Sequence, residues 1–189
     1  MSIIYEKVES EQGVLKICYD DMPESPREWD NLGRMVCFHR RYSLGDDHNY
    51  HPSDYGSWEE LAEAIKKDYD VAVILPLYMY DHSGITISTN PFSCPWDSGQ
   101  IGWIFATKED IRKEFGVKRV SKKMIERAEK ILLAEVEIYD SYLRGEVYGY
   151  IVEDKEGSQI DSCWGFYSIK DMKEYVPEEF ENLLNNEVI

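Results

Sequence analysis

Two groupings of side chains in this 189-residue chain have the composition of a reactive site. The first is Cys94 with His82, which lies in a turn just ahead of the cysteine's loop. A thiol and an imidazole brought together make a nucleophile and its base. A thiolate needs such a base or a positive field, and Asp97 close by works against one. A packed thiol in a proline-flanked loop is the plainer expectation. The second grouping is Asp46, Asp47, His48 and His51, the densest set of metal-type ligands in the chain. Mixed carboxylate and imidazole ligands would suit zinc or manganese. The set lacks the fixed spacing of a zinc motif, so it is a weak candidate and no metal is assigned. If the loops bearing His48, His51, His82 and Cys94 met at one end of a sheet, they would form a small metal- or nucleotide-binding site, or an enzyme centre.

Sign of charge is the stronger signal. The chain carries 37 acidic against 21 basic side chains, a net charge of −16. Residues 1–33 carry −5 and residues 147–189 carry −7, while the whole middle carries −4. Such a field repels nucleic acid and anionic membranes and attracts basic surfaces. The densest acidic runs are Glu174, Glu178, Glu179 and Glu181, with Asp20, Asp21 and Glu24 as a second patch. The basic groups Arg34, Arg40, Arg41, Lys118 and Arg119 do not make a basic face, so direct nucleic-acid binding is not expected. There is no GxxxxGK[ST] and no GxGxxG pattern, and Gly84, Gly99 and Gly102 read as turn and strand glycines. Four cysteines far apart, with no signal peptide and no long apolar run, point to free thiols in a reducing cytoplasm.

The elements that position these residues centre on residues 71–107. Residues 71–80 are almost continuously apolar, residues 85–89 alternate, and residues 100–105 read as a third strand. Together they suggest an antiparallel meander. The loop at 90–99 holds Pro91, Phe92, Pro95 and Trp96, whose rings are expected to pack back on the sheet. Should Trp96 be exposed instead, it reads as a binding anchor. Further strands are read at residues 14–20 and 34–39, with a hairpin at 147–167. Ser57, Thr107 and Ser121 cap successive helices, and a last helical stretch from Ser168 breaks near Pro177. Residues 161–167 are read as packing on the long helix. The expectation is an α+β fold, mostly antiparallel sheet with about four helices, as a single domain with acidic segments at both ends.

Three segments, SPREWDNLGRMVCFHRRYSLGDDH (25–48), YDHSGITISTNPFSCPWDSGQIGWIF (80–105) and DSCWGFY (161–167), resemble an uncharacterised family of small acidic proteins of bacteriophages and mobile elements of Gram-positive bacteria. The resemblance implies no catalytic residue and no cofactor. It implies a phage setting, in which small acidic proteins are similar to inhibitors of CRISPR and restriction nucleases, some of them DNA mimics. The expected function is therefore an inhibitor that binds a basic host protein, such as a nuclease or nucleic-acid-binding effector. Its partner-binding residues would be Asp20, Asp21, Glu24, Glu174, Glu178, Glu179, Glu181 and Trp96. The alternatives are a protein that binds or degrades a defence signal, and a structural or regulatory phage accessory protein.

Overall fold

The computed structural model describes residues 3–186. In chain order its strands are β1 (Ile4–Glu9), β2 (Gly13–Tyr19), β3 (Arg34–Cys37), β4 (Val71–Asp81), β5 (Ile85–Ser88), β6 (Ser98–Thr107), β7 (Tyr148–Asp154) and β8 (Gln159–Phe166). The helices are α1 (Trp58–Asp68), α2 (Lys108–Phe115), α3 (Lys122–Leu143), α4 (Ile169–Lys173) and α5 (Glu178–Asn186). The fold is α+β with two four-stranded antiparallel sheets. The chain divides into two compact units, one from residues 1–25 and 141–189, the other from residues 26–140.

The first unit is a sheet in the order β1-β2-β7-β8. Its core joins Leu15, Ile17, Tyr150 and Val152 of the sheet to Met172 of α4, Val176 of the link that follows, and Phe180 and Leu184 of α5. Phe166 belongs to this core, where it packs with residues of α4 and α5. Strand β1 is an addition to the sequence reading. A bulge between Ile4 and Glu6 breaks its alternation, and Val8 is its one buried residue. On β7, Gly149 lies under the Trp164 ring, where an added Cβ would stand 2.2 Å from the indole.

The second unit is a sheet in the order β3-β6-β4-β5. The three expected strands are present, but β6 pairs with β4 and not with β5, so β4 is central. β5 covers only Tyr78–Asp81 of β4. At Pro76, therefore, β4 has a neighbour on one side alone, and a residue without an N–H is tolerated as on an edge. Phe105 and Val36 pack with Leu61 and Ile65 of α1. Ile104, next to Phe105, points to the other face. Ser57 caps α1 by accepting the Glu60 N–H, and Thr107 with Asp110 forms a capping box on α2. α2 ends at Gly116, whose φ of 61° is left-handed.

Three side chains of α3 fix the long helix to the second unit. Glu135 accepts the backbone N–H groups of Leu32 (2.8 Å) and Gly33 (3.1 Å). The Tyr139 hydroxyl accepts from Gly45 N–H, and Asp140 accepts from Ile87 N–H and the Thr86 hydroxyl. Most of these bonds pair backbone N–H groups ahead of β3, beyond β3 and within the edge strand β5.

Candidate functional site

Arg27 explains much of the 25–48 segment. Its side chain is only 6% exposed and is held by carboxylates and a backbone carbonyl. It donates to both oxygens of Asp46 (2.8 and 2.7 Å), to Glu135 (3.4 Å) and to the Gly33 carbonyl (2.7 Å). Asp46 also accepts the Met35 N–H at 2.8 Å. Burial pushes the Glu135 carboxyl above its ordinary value, against the opposing pull of Gly33 N–H and Arg27. Asp46 is thereby committed to a structural clamp and is not free to ligate a metal. His48 Nε2 donates to the Cys37 carbonyl at 3.1 Å, and His51 is exposed beside a short turn at Pro52–Asp54. Asp47 is exposed nearby. Among the described residues no three His, Cys, Asp or Glu side chains form a metal-holding group.

His82 and Cys94 do meet, but through a third residue. His82 Nδ1 lies 3.3 Å from Asp97 Oδ2, and the Cys94 thiol donates to the same oxygen at 3.8 Å. A carboxylate between thiol and imidazole holds the thiol as a donor and does not assemble the nucleophile–base contact. No hydrogen bond or ring contact links this pair to His48 or His51 among the described residues.

The 90–99 loop corrects one expectation. Phe92 lies against Tyr80, with ring centroids 5.8 Å apart, but Trp96 is 90% exposed. The indole therefore takes no part in the core. It borders an open cleft of about 320 Å³ that includes His39, Arg40 and Arg41. Arg41 pairs with Asp81 and lies over the Tyr42 ring, while His39 stacks on Tyr42. An exposed tryptophan beside arginines has the composition of a binding anchor.

The acidic residues fall together in a way the linear chain conceals. Asp20, Asp21 and Glu24 belong to the same compact unit as Glu174, Glu178, Glu179 and Glu181. That unit holds 17 acidic and 6 basic side chains, a net −11, against −5 for the larger second unit. Asp21, Glu24, Glu174 and Glu178 are exposed, and Asp20, Glu179 and Glu181 are half-buried. Tyr167 donates its hydroxyl to the Glu24 carbonyl, which ties the first patch to the start of α4. The glutamates at 178, 179 and 181 sit in the first turn of α5, where the helix dipole favours them.

Sequence reasoning missed one cavity of about 560 Å³ in the second unit. It draws on Arg34, residues 46–50, Tyr55, Asp68, Tyr69 and Phe105. Its one local signal was the density of tyrosine and aspartate across residues 46–55. No protein-family model, curated protein or solved structure matches the chain.

Proposed function

We propose that this protein is a phage-type inhibitor that occupies the basic nucleic-acid groove of a host defence nuclease, of the CRISPR or restriction kind. One observation carries the reading. Most of the net charge is concentrated in one small unit, in which the loop after β2 and the stretch from the end of α4 into α5 hold the two acidic patches. A groove built for phosphates is lined with arginine and lysine, and a surface of fixed carboxylates competes for it on sign alone. Trp96 supplies an apolar anchor of the kind that concentrates binding energy at protein interfaces.

The test is capture from a nuclease-treated host lysate, followed by assay of the captured enzyme. A basic nucleic-acid-cleaving protein is expected to remain bound without nucleic acid. Added protein should inhibit it, and rising salt should relieve the inhibition as charges are screened. Capture that disappears on nuclease treatment, or inhibition that persists at high salt, would contradict the electrostatic reading.

A further inference from the structure

The cavity in the second unit is lined by groups that want a cation. Tyr50 and Tyr55 lie with centroids 6.2 Å apart and planes tilted by 56°, and the His48 and Tyr50 rings are 6.1 Å apart. Tyr69 packs on Phe105 at 5.3 Å. Aromatic faces carry negative potential and attract cations. The wall already shows this chemistry once, since the Arg34 guanidinium lies 5.3 Å from the Tyr69 centroid. That arginine is neutralised by Asp110 at 3.0 Å.

Two carboxylates of the wall, Asp47 and Asp68, pair with no cation among the described residues. Asp68 accepts one hydrogen bond, from the Tyr50 hydroxyl at 2.9 Å. Burial, and then this bond to Asp68, push the Tyr50 phenol upward, so it stays protonated as the donor. Asp68 keeps acceptor sites to spare.

His48 Nε2 faces the Cys37 carbonyl oxygen and donates to it. Its Nδ1 is the one buried side-chain nitrogen or oxygen without a protein partner among the described residues. Carboxylates and ring faces both call for a ligand made of donors.

We propose that this cavity binds a guanidinium group, the arginine side chain of a protein partner. Guanidinium is planar, carries five donors and no acceptor, and stacks on tyrosine while its edge bonds a carboxylate. An ammonium has three donors and no plane to stack. An anion would meet Asp47 and Asp68 with no unpaired cation to hold it. The proposal stands apart from the charge reading, because the cavity lies wholly in residues 26–140.

The experiment uses the full chain and three probes: N-acetyl-arginine amide, its citrulline counterpart and its lysine counterpart. Nuclear magnetic resonance shifts of His48, Tyr50 and Asp68 are followed. The arginine amide is expected to shift all three saturably and more tightly than lysine, and the uncharged citrulline should shift none. Asp68→Asn, which keeps an acceptor for Tyr50, should weaken arginine binding about tenfold. Asp47→Asn, at an exposed position, gives a second reading should the first variant disturb α1. Shifts that are absent or do not saturate, equal responses to citrulline or lysine, or an affinity unchanged in both variants would each overturn the proposal.

Discussion

At the scale of single residues, Arg27 has the clearest consequence. A guanidinium that is 6% exposed holds Asp46 and Glu135, themselves largely shielded. Removing one member of such a network leaves the other charges without compensation. Arg27→Ala is therefore expected to lose about 3–5 kcal/mol in denaturant unfolding, and a loss below about 1 kcal/mol would show that solvent screens the network. Trp96 stands at the opposite extreme. With its ring 90% exposed, Trp96→Ala should leave the melt within about 0.5 kcal/mol of wild type. The same variant should weaken partner binding, and a substantial drop in melting temperature would place the ring in the core. Tyr150 gives a pH test. Burial, then its bond to Asp161, push the phenol from 10 up to about 12. The folded state thus keeps a proton that the unfolded chain loses. Its stabilisation is complete below pH 10 and is lost as pH rises through about 12. Across that window wild type should lose stability more steeply than Tyr150→Phe; parallel curves would contradict the assignment.

At the scale of elements, the caps and periods were readable and the pairings were not. Ser57 and Thr107 start helices where their sequence places them, because a cap is a local hydrogen bond. The order β3-β6-β4-β5 depends on which strand edge a distant segment reaches, and alternation does not encode that. Strand β1 escaped for a related reason, since its bulge hides a short alternating pattern. The acidic patches and Trp96 were named from type alone. The Arg27 clamp spans 108 residues to Glu135, and the tyrosine cavity needs Asp68 and Tyr69 to close beside residues 46–55. Both are tertiary facts. A test of the pairing lies in two glycines of β6. A Cβ at Gly102 would stand 2.0 Å from the Val36 carbonyl, whereas Gly99 has open space. Gly102→Ala should destabilise by about 2 kcal/mol or more, and Gly99→Ala by well under about 1 kcal/mol. Equal effects would argue against β3 lying along β6.

At the scale of the whole molecule, the division of charge is the central feature. A unit of 74 residues with a net −11 resists its own compaction, and it is held by a core of Leu15, Ile17, Val152, Met172 and Phe180. Among the described residues no helix is long and apolar enough to cross a membrane. Changing Glu174, Glu178, Glu179 and Glu181 to Gln removes four negative charges from that unit. Two stability effects oppose one another. The first turn of α5 loses favourable dipole interactions, worth about 0.3–1 kcal/mol each when exposed, while self-repulsion falls. Folding should change little. The decisive measurement is the association rate of this quadruple variant and of wild type with the captured nuclease, across a range of salt. The variant is expected to associate about tenfold more slowly at low salt, with a flatter salt dependence, the two proteins converging as salt rises. Identical rates and identical salt slopes would contradict the claim that this acidic unit meets a basic groove.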